Sequence, residues 1–328
     1  MFRWRKLGQV FDPREVDDID WMKDFAQAPS ALVLDECVRV YFACRPAADS
    51  SGQFVSYLAY VDFRRDNLIE RINISRKQIL PLGERGTFDE FGTNPASVIR
   101  NGDDVWVYYA GWTRCESVPF NAAIGLAISR DNGKTFVRIG KGPVLSYSFD
   151  EPFVIGSPRI RKFNETMYLW YVAGKKWLKG TGRPEPVYKI RMATSTDGIC
   201  WTKYGMDLIE SILEEDECQA SPDVFFANGK YHMYFSYRFT LGFKEKGRGY
   251  RIGYAWSSDL RTWTRDDAKA GIEVSDDGWD SETISYPHVF ELDGRTYMYY
   301  QGNQVGKFGF GLARLETDLV LSSPTTTA

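Results

Sequence analysis

An all-β, five-bladed β-propeller is the fold this chain predicts, on three observations. First, one phrase comes round five times: a proline, a short strand, a turn, then an aromatic-rich strand. The prolines are Pro29, Pro95, Pro158, Pro222 and Pro287, stepping by 66, 63, 64 and 65 residues. Second, the aromatic pairs that follow them, Tyr41-Phe42, Tyr108-Tyr109, Trp170-Tyr171, Tyr234-Phe235 and Tyr299-Tyr300, step by 67, 62, 64 and 65. Third, no stretch keeps helical periodicity over three turns, whereas short Val-, Ile-, Tyr- and Trp-rich runs bounded by Gly, Asn and Asp are everywhere. Five units of about 65 residues fill nearly all 328 positions, and a fixed period of this length marks a repeat architecture.

The second unit shows the plan most fully. "NPASVIR" is a strand, "NGD" a turn, "DVWVYYAGW" a second strand, "NAAIGLAIS" a third, "RDNGK" a turn and "TFVRIG" a fourth. Unit four repeats it in "SPDVFFANGKYHMYFSYR" and "YRIGYAWSSDLRTWTR". Four antiparallel strands per unit describe propeller blades. "GMDLIESILEEDE" has some helical character but belongs to an inter-blade loop. The last unit supplies three strands and runs into the polar tail SSPTTTA, while the N-terminal "FRWRKLG" resembles a fourth strand and can close that blade. Closure of this kind leaves no open sheet edge. The expectation is a single propeller domain over 1–328, with blades at 24–88, 89–150, 151–215, 216–280, and 281–318 plus 1–10. The motif Ser129-Arg-Asp131-Asn-Gly133 recurs at Ser195–Gly198 and Ser257–Leu260, always between third and fourth strands. It reads as a hairpin turn in which Asp bonds backbone amides, and a calcium loop is the weaker reading.

Composition narrows the function. Apolar residues make up 43% and aromatics 15%, enough for a large core, and the formal net charge is -3. With no basic tail or stripe, non-specific nucleic-acid binding is disfavoured. The five cysteines have neither CxxC nor zinc-ligand spacing and read as free thiols. No apolar run reaches transmembrane length, so no membrane insertion is expected, and a cytoplasmic location is the default. No cofactor or metal is called for, since no ligand set is specific for a channel calcium.

In a propeller the first strand of each blade lines the channel and the second returns beside it. A ligand on that face meets residues just before each proline and just after each aromatic pair. Ahead of the prolines, Asp24, Glu90, Glu217 and Glu282 stand at an identical offset of five, with Asp150-Glu151 slightly earlier in unit three. Converging carboxylates suit glycoside hydrolysis, one protonated as acid and one ionised. The same acids could instead cap the lead-in loops. Flanking the prolines are Asn94, Arg159, Asp223, Tyr286 and His288, with Arg159 and Asp223 also readable as a structural ion pair. After the aromatic pairs come Arg45, Trp112, Arg114, Lys175, Lys176, Trp177, Arg238 and Asn303, a basic and aromatic collar. Arginines clamp planar anions and indoles stack on sugar faces, so the collar suggests a carboxylate-, phosphate- or nucleotide-bearing ligand.

The text of unit four, the Asp-Gly-x-x-Trp turn and "WDSETISYPHVFELDGRTYMYYQGNQVGKFGFGLA" together resemble the five-bladed propeller glycosidases, the superfamily of glycoside hydrolase families 32, 43, 62, 68 and 130. A likeness to family 32-like and arabinanase/levansucrase/invertase-like proteins, some from surface-polysaccharide gene sets, covers the whole array. The resemblance implies a catalytic Asp directly before the first proline, where this chain has Ala28; the next blades offer Asn94 and Ser157. It implies Glu217 as general acid, with Asp24 or Glu282 as base or nucleophile. Glu90, Glu151 and the channel and collar residues would then bind substrate. The expected function is a glycosidase-like enzyme cleaving or transferring a glycosyl unit on a small anionic or nucleotide-linked sugar. The alternatives are a sugar-binding or non-hydrolytic biosynthetic propeller and, third, a protein-interaction scaffold.

Overall fold

The computed structural model describes residues 2–180, 182–317, 319 and 321–324. Of the residues assigned above to the closing blade and the tail, Met1, Asp318 and 325–328 lie outside this range. Strand β1 (Trp4–Phe11) is followed by four complete blades. These are β2 (Asp24–Val33), β3 (Cys37–Arg45), β4 (Tyr57–Arg64) and β5 (Arg71–Ile74); then β6 (Thr93–Asn101), β7 (Asp104–Arg114), β8 (Phe120–Ser129) and β9 (Val137–Arg138). The third is β10 (Ile155–Phe163), β11 (Thr166–Leu178), β12 (Glu185–Ser195) and β13 (Thr202–Lys203). The fourth is β14 (Cys218–Ala227), β15 (Lys230–Arg238), β16 (Arg251–Ser257) and β17 (Thr264–Arg265). The chain ends with β18 (Ser285–Leu292), β19 (Arg295–Gln301) and β20 (Phe310–Leu315). The last sheet has the order β1-β20-β19-β18, so the N-terminal strand supplies its fourth strand and the fold is the five-bladed propeller expected.

The repeated proline has a structural cause. Proline has no N–H for a ladder and is tolerated at a bulge. All five inner strands slip register around it, between Gln27 and Ser30, Thr93 and Ala96, Gly156 and Arg159, Ala220 and Asp223, and Ser285 and His288. The residue ahead of the proline is left-handed in four blades: Ala28 (φ 54), Ser157 (φ 49), Ser221 (φ 48) and Tyr286 (φ 54). In the second blade Asn94-Pro95 is instead cis.

The repeated aromatic pair has two jobs. Its members are almost fully buried between blades. The hydroxyl of Tyr41 donates to the Gly133 carbonyl of the next blade (2.8 Å), and Tyr108 does the same to Gly198 (2.8 Å). A Cβ at either glycine would collide with that hydroxyl. In the third blade the first aromatic is Trp170, which has no hydroxyl to place, and there the facing turn carries Leu260 in the same apolar cluster. In each of these three turns the Ser and Asp bond backbone amides, as Asp197 does to Ile199 and Cys200 (both 2.8 Å).

The second aromatic helps to hold an acid. Tyr109 donates to Asp89, Tyr171 to Glu151 and Tyr300 to Asp280, each at 3.0 Å. Each of these buried carboxylates lies on the loop leading into a blade and pairs with a base on that blade's fourth strand. The pairs are Asp89 with Arg138 (2.7 Å), Glu151 with Lys203 (2.6 Å) and Asp280 with Lys6 (2.7 Å). In the fourth blade Phe235 replaces the tyrosine, and Glu217 meets Arg265 (2.7 Å) while accepting from the amides of Ile212 and Leu213. A buried charge stripped of its partner costs several kcal/mol. Changing Arg265 to Met should therefore lower unfolding free energy by about 3 kcal/mol in urea titrations, and adding Glu217→Gln, which removes the stranded charge, should restore most of it. A loss that the second change leaves untouched would show that the charge pair is not the source.

Candidate functional site

The connections between second and third strands all emerge on the face where the inner strands begin, and they build a cavity of about 600 Å³. Residues 53–56 come from the first blade, 114–120 from the second and Arg183-Pro184 from the third, over a floor made by the starts of β6, β10, β14 and β18. The fifth blade's connection behaves differently. It makes a left-handed turn at Asn303–Gly306, with Gln304 at φ 53 and Val305 at φ 57, a conformation rare for a β-branched residue. Val305 packs beside Val172, Ala220 and Tyr250, and its carbonyl accepts from Gln27 Nε2 (2.7 Å). The open space is thereby set over the first three blades.

One wall is cationic. The Arg45 guanidinium lies between the rings of Phe25 and Phe54, 4.1 Å from each centroid, and donates to Gln27 Oε1 (3.1 Å). Burial, with Arg183 nearby, lowers its pKa to about 10. Arg114 lies over Phe91 (4.2 Å) and donates to the Phe54 carbonyl (3.1 Å). Among the described residues neither Arg45 nor Arg114 has a carboxylate oxygen within 4.0 Å. Trp112 is fixed by its indole N–H on Ser56 Oγ (2.7 Å). Asn94 donates to Gln27 Oε1 (2.9 Å), leaving its own Oδ1 buried without a donor.

Beneath the floor the channel is closed. Ser157 and Ser221 join Oγ to Oγ at 2.9 Å. Below them, Asp223 faces Arg161 (2.8 Å), His288 Nδ1 (3.4 Å) and Arg159 (3.7 Å). Burial alone would raise the Asp223 pKa, but Arg161, His288 and Arg159 together hold it well below the usual carboxylate range. Desolvation outweighs Asp223 at His288 and lowers the imidazole to about 4, so it is neutral at pH 7.

Arg45, Asn94, Trp112 and Arg114 thus come together at the cavity, and Arg159, Asp223 and His288 come together under it. Tyr286 lines the cavity as well, and the other candidates go elsewhere. Glu217 and Glu151 are buried in blade latches, Glu151 also holding Arg191 (2.8 Å). Asp24 stands opposite Arg45 at the edge of β2, half-buried, outside the cavity lining. Glu90 accepts from the Gly86 amide (2.8 Å) in a turn, and Glu282 is exposed. Lys175 pairs with Asp207 (3.1 Å) and Lys176 with Asp216 (2.8 Å). Arg238 is buried over Phe243 (3.9 Å), donating to the carbonyls of Phe239 and Thr240. Asn303 caps the amides of Glu282 and Thr283 (2.8 and 3.0 Å). The three carboxylates named as catalytic do not converge: among the described residues, the acid lining the cavity is Glu116. Equal offsets from proline misled: of the acids at that offset only Glu217 is a latch, and in the second and fifth blades the latch acids are Asp89 and Asp280, one and two residues earlier. Gln27, Phe54, Glu116, Arg183 and Tyr188 were not anticipated. The signal for most of them was the long polar connection after the second strand, where "GTGRPEP" places Arg183.

No family model matches the chain. Two proteins of Mycobacterium tuberculosis, named uncharacterized protein MT1551 and uncharacterized protein Rv1502, are each 34% identical over 316 residues, covering 95% of this chain and 99% of theirs. Among solved structures, one titled "Glycoside hydrolase" superposes with a TM-score of 0.74 at 15% identity, covering 98% of this chain and 93% of that one. The β-1,2-mannobiose phosphorylase of Listeria innocua gives 0.67 at 13% identity, covering 95% and 96%. The family 32 β-fructofuranosidase of Bombyx mori gives 0.64 at 17%, covering 98% of this chain and 65% of that one. At such identities the structures establish a shared fold.

The channel cluster has a pH signature. An unfolded histidine titrates near 6.5, and native His288 near 4. Between these values the unfolded chain holds a proton that native His288 lacks, so stability falls as pH drops from about 6.5 to about 4 and this contribution then levels off, by up to about 3 kcal/mol. Urea titrations at several pH values should show that slope in the wild type and its reduction in His288→Gln. Identical slopes would refute the assignment.

Proposed function

We propose, from the premise that this chain belongs to one family with the mycobacterial proteins MT1551 and Rv1502, that it is a carbohydrate-active propeller whose cavity holds an anionic sugar. One observation carries the reading: Arg45, desolvated between two phenylalanine rings, has no carboxylate oxygen within 4.0 Å among the described residues and has Arg183 close enough to lower its pKa. Taking a cation from water without a counter-charge is costly, and a perturbed group in a cleft marks a ligand site. An anion lying between Arg45 and Arg114 would supply the missing counter-charge, with Arg183, exposed and 3.4 Å from Glu185, at the edge of the same cavity. Trp112 and Phe54 supply the aromatic faces on which sugars rest. The fold it shares with glycoside hydrolase and phosphorylase propellers supports carbohydrate chemistry in general.

The reading departs from hydrolysis by Glu217 with Asp24 or Glu282. A dyad needs two carboxyl groups flanking one bond, roughly 5–10 Å apart. Glu217 is fully buried under Arg265, and Glu282 faces solvent. Any step on the bound ligand would use Glu116 at the mouth. Isothermal titration should detect binding of glucuronate or glucose 1-phosphate and none of glucose at equal concentration. Arg45→Met should weaken the anions at least tenfold, with a binding constant that falls as salt rises. Equal affinity for neutral and anionic sugars, or an unaffected Arg45→Met variant of wild-type stability, would refute the proposal.

A further inference from the structure

The cavity has two unlike ends. Opposite the arginines, its floor is built from the small or apolar residues Ala110, Ala122, Val154, Gly156, Val172 and Ala220. These lie on the facing strands β7, β8, β10, β11 and β14 and on the loop leading into β10. Polar groups at this depth are mostly committed elsewhere. Ser157 is engaged by Ser221, the Tyr188 hydroxyl by Tyr250, and the Asn94 amide by Gln27. Asn94 Oδ1, an acceptor without a partner, is itself sealed from the open space.

A hexose carries a hydroxyl on nearly every ring carbon, and burying each without a partner costs roughly 1–3 kcal/mol. This floor therefore disfavours a sugar ring, polar on every carbon, and favours a flat ring that lays an apolar face on it and keeps its polar atoms at the edge. The closed channel limits its length, since the serine pair and the Arg159–Asp223–His288 cluster stop it below. A long acyl or prenyl chain would have no room to continue downward. The arginine wall and the apolar floor border one cavity of about 600 Å³, within the usual range for small-ligand sites.

We propose that the cavity seats a nucleoside phosphate, its base on the apolar floor and its phosphates against Arg45, Arg114 and Arg183. This rests on the reading that those arginines hold an anion. A sugar joined to the terminal phosphate lies at the mouth, beside Glu116.

The test compares inorganic pyrophosphate, glucose 1-phosphate, farnesyl phosphate and a panel of nucleoside 5′-diphosphates against the full chain by isothermal titration. At least one nucleoside diphosphate should bind tenfold or more tightly than each of the other three. In saturation-transfer NMR, irradiating the protein's methyl resonances should transfer most strongly to the base protons. If pyrophosphate or glucose 1-phosphate binds as tightly as every nucleotide, the nucleoside assignment fails while the anion reading stands. Tighter binding of farnesyl phosphate would likewise overturn it in favour of a lipid phosphate. If no phosphate compound binds while glucuronate does, the nucleoside assignment fails and the anion reading stands; if neither binds, both fail.

Discussion

The buried acid–base latch is the interaction on which the rest of this propeller depends. A short fourth strand of two to four residues, as in β9, β13 and β17, makes few ladder bonds and cannot hold itself to a blade. A carboxylate on the lead-in loop, paired with a base on that outermost strand, ties the start of a blade to its far edge. Where the second aromatic is tyrosine, its hydroxyl fills another lone pair of the acid, as in Tyr109, Tyr171 and Tyr300. Where it is Phe235, backbone amides and the Gln219 side chain take over that duty on Glu217. In the closing blade the base is Lys6, so the latch on Asp280 joins the two ends of the chain. Four different residue choices serve one electrostatic requirement: a buried charge must be paired and hydrogen-bonded.

That requirement explains what the sequence could and could not disclose. The prolines and aromatic pairs were legible because both answer to repeated geometry, the proline to a bulge and the first aromatic to burial between blades, with a carbonyl of the next blade as its partner at Tyr41 and Tyr108. The strand plan and the N-terminal closure followed from them. The acids were visible too, but their purpose was not. An Asp or Glu ahead of an inner strand looks the same whether its oxygens face a channel or a lysine fifty residues away. Glu151 and Lys203 are separated by such a distance in the chain and by 2.6 Å in space. Of the collar, Arg45 and Arg114 point to the cavity while Lys175, at a comparable place, turns out to Asp207. Position after an aromatic pair selects the face of the propeller; neighbouring loops then decide whether a side chain meets a ligand or a partner.

The floor beneath the cavity extends this logic to the centre. In the layer below the prolines, Asp223 gathers Arg159 and Arg161 from the blade before it and a neutral His288 from the blade after it. The cluster resembles the latches in chemistry, yet it joins blades rather than strands. It fills the axis below the cavity with buried side chains. A neutral His288 beside an ionised Asp223 is the arrangement that low polarity and two nearby guanidiniums favour.

Five similar blades ought to give a site on the axis, and the site here is off it. The cause is the fifth connection, whose left-handed turn at Gln304–Val305 sends an apolar side chain over Ala220 and Val172 and anchors on Gln27. Gln27 in turn accepts from both Arg45 and Asn94, so the segment that fills the axis also orients the cationic wall and Asn94. At the ring position before the first proline, Ala28 offers no carboxylate; its amide donates to Gln301 Oε1. The propeller therefore shares its fold with glycoside hydrolase propellers while its ring residues, Ala28, Asn94, Ser157, Ser221 and Tyr286, include no acid. Chemistry in such a fold is set by the loops laid over the ring, and here those loops deliver arginines.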